Sequence, residues 1–392
     1  LLGVLSPLEV AEAYGNPLIL LLMGGCILSK AMERSGAHKH IALMMVHAFG
    51  GGSLRGVVFG FMAASAVLSM WISNTATTLM LLPVALAVVG ASDHKGLAVP
   101  LLLGICYAAS IGGMGTPIGT PPNLILMRVF QESTGEEIGF LTWMMWCVPV
   151  VVFFVPLAGL WLTRGLNMPC DFHLPERQAW TVEQRRVLWV FGVTALAWIT
   201  RSEPFGGWKA WLDLPQANDA SVALIAVVVM FLLPNGRGGK LLDWSTAATI
   251  PWGVLILFSG GIALASAFTV SGLAAFLAGG IAQLSVLPLL LMIFLICVGV
   301  TFLTEVTSNT ASTSLLMPVL ATTALSTNTD LLHLMLPAAL SASCAFMLPV
   351  ATAPNAIVYG SGQVAIAQMV RHGVVLNIVG AVIITCWLGV IF

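Results

Sequence analysis

Ser73-Asn74-Thr75-Ala76-Thr77-Thr78-Leu79-Met80-Leu81-Leu82-Pro83-Val84 occurs twice in this chain. The second copy is Ser308-Asn309-Thr310-Ala311-Ser312-Thr313-Ser314-Leu315-Leu316-Met317-Pro318-Val319, with 8 of 12 positions identical. The copies start 308 − 73 = 235 residues apart in a chain of 392. A single Ser-Asn-Thr carries no information. Two copies between long apolar runs, each followed by Pro at the same offset, carry a great deal. The duplication extends outward on both sides. Residues 24–36 (GGCILSKAMERSG) match residues 260–272 (GGIALASAFTVSG) at a spacing of 236, and Gly119-Thr120-Pro121-Pro122-Asn123 matches Ala351-Thr352-Ala353-Pro354-Asn355 at 232. Three matched blocks in one order make two related halves, and a long internal repeat outranks any local reading.

Composition fixes the solvent. The chain is 58% hydrophobic and 8% charged, against roughly 25% charged in soluble domains. Its 39 Gly and 20 Pro suit membrane helices, which carry more of both than soluble ones. Apolar runs near the ~18 residues that mark a spanning helix recur throughout. The expected class is an all-α polytopic membrane protein. The net charge of −1 says nothing about partners, and no basic stretch resembles a nucleic-acid surface. The 7 Cys lie mostly inside apolar runs without metal-like spacing, and read as small hydrophobes. The first residue is Leu, so further residues are expected to precede it; no signal peptide is visible.

In order, a first span is expected at 16–32 and an interfacial piece at 40–49. Residues 56–71 and 76–89 are too short for comfortable crossings and flank the polar tip at 73–75, which predicts a re-entrant hairpin. Polar, irregular backbone at membrane depth is tolerated only inside protein or along a cavity. Residues 97–130 read as a helix broken at 112–122, where Gly and Pro cannot hold a ladder. Further spans are expected at 140–162, 187–200 and 221–233. The pattern then restarts with a span at 250–268, an interfacial piece at 274–283, hairpin arms at 287–303 and 311–325, a broken helix at 334–359 and a last span at 374–392. The expected division is a first repeat over 1–164 (hairpin 54–90, broken helix 97–130), a cytoplasmic connector over 165–186, and a second repeat over 187–392 (hairpin 285–325, broken helix 334–360).

Charge orients the halves. With the first hairpin entering from the cytoplasm, twelve of the 15 Lys and Arg fall inside, and only Arg128, Arg201 and Lys209 fall outside, as the positive-inside rule requires. The second hairpin then enters from outside, so the repeats are inverted. Inverted repeats with discontinuous helices are the mark of a secondary transporter.

Each tip offers hydroxyls, an Asn amide and freed carbonyls, with a helix N-terminus behind it. Oxygens suit a hard cation such as Na⁺, and exposed N–H groups attract an anion. No Arg or Lys lies in either tip or break, so an anion would be met by helix ends and bound cations. One tip alone would read equally well as an N-cap; two, facing two Pro-broken helices, favour a site. Glu305 is the one carboxylate within a predicted hairpin arm. Its first-half counterpart is Met70, which points to a structural or gating role rather than direct binding. The seven histidines read as solvated or interfacial.

The twin Ser-Asn-Thr motifs, Gly-Thr-Pro-Ile-Gly-Thr-Pro-Pro-Asn at 115–123, Thr-Glu-Val-Thr-Ser-Asn-Thr-Ala at 304–311 and Pro-Val-Ala-Thr-Ala-Pro-Asn-Ala-Ile-Val at 349–358 together resemble the divalent anion/sodium symporter family. The resemblance covers nearly all the chain. It implies a homodimer in the cell's inner (plasma) membrane, with scaffold and elevator-type transport domains and about three further N-terminal spans. It implies Na⁺-coupled symport of a small divalent anion, with Na⁺ as coupling ion and no cofactor. It puts one Na⁺ at Ser69, Ser73, Asn74 and Gly119, and a second at Thr304, Thr307, Asn309 and Ala351. Substrate contacts fall to Asn74, Thr75, Asn309, Thr310 and Thr352, with Ala353 at a pocket wall where many members carry Pro. No soluble domain interrupts 163–186, which favours a C4-dicarboxylate over sulfate. The competing readings are a Na⁺-independent exchanger, a sulfate, tricarboxylate or metal-oxyanion carrier, a channel and, from another class, a membrane-embedded enzyme. The last would need a base or metal site, and neither tip has His, Asp or a Cys pair.

Overall fold

The computed structural model describes residues 3–49, 52–92, 94, 96–166, 179–203, 205–281 and 287–392. Most of the 165–186 connector and the start of the second hairpin lie outside them. Nineteen helices and no strand occur among the described residues: α1 (Pro7–Tyr14), α2 (Pro17–Ser35), α3 (Ala37–Phe49), α4 (Leu54–Ser69), α5 (Asn74–Ala91), α6 (Ala98–Gly113), α7 (Pro121–Thr134), α8 (Phe140–Leu162), α9 (Val182–Ile199), α10 (Gly207–Trp211), α11 (Asp219–Leu232), α12 (Trp244–Ala247), α13 (Trp252–Val270), α14 (Leu273–Ile281), α15 (Leu289–Thr304), α16 (Asn309–Thr327), α17 (Leu331–Ser341), α18 (Ala353–Gly360) and α19 (Ile366–Ile391). Among the described residues, five segments are long and apolar enough to cross a membrane: Pro7–Ser35, α5, α8, α13 and α19.

The order long–short–arm–arm–half–half–long in α2–α8 recurs in α13–α19. Both first arms, α4 and α15, are 16 residues, or about 24 Å at 1.5 Å per residue, short of the ~30 Å hydrocarbon layer. Pro83 and Pro318 lie inside the second arms, where each removes one helix N–H. The breaks fall at 114–120 and 342–352, between α6 and α7 and between α17 and α18.

Packing crosses between the repeats. Within the first, α4 lies on α5, α6 and α8; within the second, α15 lies on α16, α17 and α19. The second arms reach across: α5 packs on α18, and α16 packs on α7. Each second arm thus meets the half-helix beyond the other repeat's break, tying the two repeats into one core. Around it, α2 packs on α11, where a Cβ on Gly24 would stand 2.6 Å from that of Ala223. Small residues of this kind are how membrane helices approach closely.

Several boundaries differ from the sequence expectation. Helix α9 begins at Val182 rather than 187, because Thr181 and Gln184 form a capping box, so the connector over 165–186 is shorter than expected. The same device, Ser6 with Glu9, starts α1 ahead of the span expected at 16–32. Helix α19 begins at Ile366, not 374. Arg201, in the segment between α9 and α10, is buried. It is 2% exposed and pairs with Asp219 at 2.7 Å and Glu137 at 2.6 Å. Among the histidines, His38 is buried, its Nδ1 2.7 Å from the Met32 carbonyl.

Candidate functional site: paired tips and breaks

Ser73 ends the first tip in extended backbone, and its hydroxyl accepts from the Ala76 amide at 3.3 Å. Ser308 does the same for Ala311 at 3.4 Å. Each is an N-cap, and capping leaves the neighbouring Asn side chain free for other work. Asn74 turns toward α4 and the first break. The Ser69 hydroxyl donates to its Oδ1 at 2.5 Å, and a Cβ on Gly113 would stand 2.7 Å from the same atom. A Cβ on Gly119 would in turn meet the Gly113 carbonyl oxygen at 2.4 Å. Ser69, Asn74 and Gly119 thus gather around Gly113, while Ser73 stays at the exposed cap. Thr75 is half-buried.

The second tip is built from the same residue types. Thr304 is buried, and its hydroxyl donates to the Val300 and Thr301 carbonyls. Thr307 bonds the Leu303 carbonyl at 2.8 Å and the Ser312 hydroxyl at 2.6 Å. Asn309 Oδ1 is buried without a hydrogen-bond partner. Thr310 is half-buried. Thr352 caps α18, accepting from the Asn355 amide at 3.2 Å. Ala351 is buried beside it, and Ala353 is exposed. The contacts do not join Thr304 or Thr307 directly to Ala351. Gly113 and Gly119 correspond to Ala345 and Ala351, so the second break already carries the methyl groups that the first has no room for.

Sequence reasoning missed the residues that hold the breaks open. Asn123 Nδ2 donates to the carbonyls of Gly113 (3.0 Å) and Thr116 (2.8 Å). Asn355 Nδ2 donates to those of Ala345 and Leu348, each at 3.0 Å. In both, Oδ1 is buried without a hydrogen-bond partner. A broken helix exposes carbonyls that a buried polypeptide must satisfy, and one amide bridges two of them. Trp143 of α8 donates from Nε1 to the Met114 carbonyl at 3.0 Å. Asn377 of α19 faces the equivalent Phe346, whose amide donates to its Oδ1 at 3.3 Å. Asn377 was findable as a lone amide within the apolar 374–392 run. Glu305 accepts from the amides of Phe346 (2.8 Å), Met347 (2.9 Å) and Leu348 (3.0 Å) and from Asn377 Nδ2 (2.7 Å). Among the described residues no His, Cys, Asp and Glu cluster could hold a metal ion.

Broken helices and short apolar arms beside long apolar spans fit a polytopic membrane transporter. The comparisons agree. Residues 1–331 match the citrate transporter family (CitMHS). The chain is 38% identical to the "Sodium-dependent dicarboxylate transporter SdcS" of Staphylococcus saprophyticus subsp. saprophyticus, over 97% of this chain and 78% of that protein. It is 36% identical to the SdcS of Staphylococcus aureus, over 97% and 77%. Among solved structures, the Alcanivorax borkumensis YdaH transporter superposes with a TM-score of 0.68 at 16% identity, covering 97% of this chain and 86% of that one. Neisseria gonorrhoeae MtrF gives 0.61 at 14%, covering 97% and 83%; at these identities the likeness is one of fold. The chain belongs to the citrate transporter family, within the divalent anion/sodium symporter group that its motifs resemble.

Proposed function

We propose that the protein is a Na⁺-coupled carrier of a small divalent anion, most simply a C4-dicarboxylate such as succinate, malate or fumarate. The observation that carries this reading is the crossing of the second arms: α5 on α18 and α16 on α7. In this reading it draws together two Asn-bearing tips and two breaks, none of which carries a Lys or Arg. A dicarboxylate carries two negative charges at neutral pH, and burying them unpaired is prohibitive. Cations must therefore come with it. Ser69, Ser73, Asn74 and Gly119 would take one Na⁺, and Thr304, Thr307, Asn309 and Ala351 the other. Asn74, Thr75, Asn309, Thr310 and Thr352 would meet the carboxylates, with Ala353 on the wall. The names of the SdcS relatives support both the ion and the substrate class.

In this reading the two repeats are inverted, the hairpins are re-entrant, and α4–α8 with α15–α19 form a mobile domain that moves against α2, α9, α11 and α13. The mutual packing of α2, α9 and α11 supports that grouping, whereas α13 packs on α16 as well as on α2. Homodimeric assembly and a plasma-membrane location rest on the resemblance. A tricarboxylate is the second reading, favoured by the citrate transporter family match. Uptake of radiolabelled succinate into proteoliposomes tests the proposal. Accumulation should need a Na⁺ gradient and be competed by malate and fumarate more strongly than by citrate. Accumulation with choline in place of Na⁺ would favour the exchanger instead.

A further inference from the structure

The two tips are fastened in different ways. Trp71 pins the first: its ring stacks on Phe140 at 6.0 Å and meets Phe191 edge-on at 5.5 Å. The adjacent Met70 carbonyl accepts the Thr116 hydroxyl from the break. At the repeat spacing of 235, Met70-Trp71 becomes Glu305-Val306. Val306 is 69% exposed and has no ring to stack. Its neighbour takes over the fastening. Glu305 is 3% exposed, and its carboxylate collects three successive amides, Phe346, Met347 and Leu348, plus Asn377 Nδ2. Consecutive N–H groups converging on an anion form a nest, and four donors suit a carboxylate's acceptor sites, which is how a buried charge is tolerated. Helix α19 comes close here: a Cβ on Gly373 would stand 2.4 Å from the Phe346 carbonyl oxygen.

We infer that Glu305 is the positioning residue that locks the second tip to its break and so pre-forms the second cation site, making it tighter than the first. The inference rests on the proposed Na⁺ coupling. Glu305 directly follows Thr304 and lies two residues before Thr307, so its bonds fix the backbone that presents those oxygens. Its fixed negative charge in a low-dielectric region also favours a cation nearby, and the first half, with Met70, has none.

The test uses the full chain, purified for Na⁺ titration of thermal stability without substrate and reconstituted for uptake. In Glu305→Gln the side chain keeps its shape, but its NH₂ faces backbone donors. Losing charge-assisted bonds of this kind corresponds to about a ten-fold effect. The half-maximal Na⁺ concentration should therefore rise about ten-fold, with the succinate KM at saturating Na⁺ changing less than about three-fold. Thr116→Val, which removes the first half's link, should shift the Na⁺ requirement less than Glu305→Gln does. Asn377→Ala keeps the carboxylate but removes one donor, and should raise the Na⁺ requirement about three-fold; it stands in if Glu305→Gln does not fold. Unchanged Na⁺ dependence in the folded variants would overturn the inference while leaving Na⁺-coupled transport intact. A wild-type protein indifferent to Na⁺ would overturn both.

Discussion

Asn123 and Asn355, 232 residues apart, make the same pair of bonds: each amide nitrogen donates to the carbonyls ten and seven residues before it. The repeat is thus conserved down to single hydrogen bonds, at the points where each helix must break. Asn123→Ala or Asn355→Ala removes two bonds and leaves two buried carbonyls unpaired. Each should cost about 1–3 kcal/mol, read as a lowered unfolding temperature in detergent. Asn→Asp at either site sets a carboxylate against two carbonyls and should be worse. Wild-type stability in both Asp variants would remove the clamp from the account.

The first break is packed without slack. A Cβ on Gly112 would stand 2.3 Å from the Ala66 carbonyl oxygen, and one on Gly119 would stand 2.4 Å from that of Gly113. Both obstacles are backbone. Gly112→Ala and Gly119→Ala should each destabilise by about 1–3 kcal/mol, the usual cost of overpacking. Gly90→Ala and Gly192→Ala, with nothing within 4 Å, are the controls and should be as stable as wild type or more so. Equal behaviour of the two sets would mean that the close approach is not obligatory.

His38 gives the fold an acid sensitivity. Burial pushes its pKa below the ordinary 6.5; the Met32 carbonyl and Glu33 oppose the shift, and Lys39 adds to it. Because the unfolded chain takes up the proton first, this contribution is fully present above about pH 6.5 and is lost as pH falls toward the folded value. The unfolding temperature should drop between about pH 7.5 and 5.5, and His38→Gln should shrink that drop. An identical pH profile in the variant would assign the sensitivity elsewhere.

At the tips, Asn74→Ala and Asn309→Ala should each abolish Na⁺-driven uptake in protein that still elutes as wild type. The Asn74 side chain faces Ser69 and Gly113, and Asn309 Oδ1 has no protein partner. Thr75→Ala and Thr310→Ala should raise the substrate KM more than the Na⁺ requirement, by about ten- to a hundred-fold, since hydroxyls donate to anions. Weakened Na⁺ binding with unchanged substrate affinity would exchange the two assignments.

Much of this was legible in the sequence. The duplicated Ser-Asn-Thr marked the starts of α5 and α16, and the apolar runs at 56–71 and 76–89 fall largely on α4 and α5. Gly and Pro placed the breaks, since both act locally. Contacts between halves were not legible. Nothing in Asn123 or Asn355 announces that its amide closes on carbonyls seven and ten residues back. The Glu305–Asn377 bond joins residues 72 apart, beyond any periodic signal. The burial of Arg201 was not legible because its partners, Asp219 and Glu137, come from other segments. Capping boxes at Ser6 and Thr181 are readable as S/T-x-x-E/Q, and they place the starts of α1 and α9.

The central claim is that the anion cannot bind until Na⁺ supplies the missing positive charge. Thermal-shift titration of the purified protein tests it most directly, since a ligand that binds only the folded state raises its stability by mass action. Succinate should stabilise the protein strongly in NaCl and hardly at all in choline chloride of equal ionic strength, with Na⁺ alone giving a smaller rise of its own. Equal stabilisation by succinate in the two salts would contradict the account.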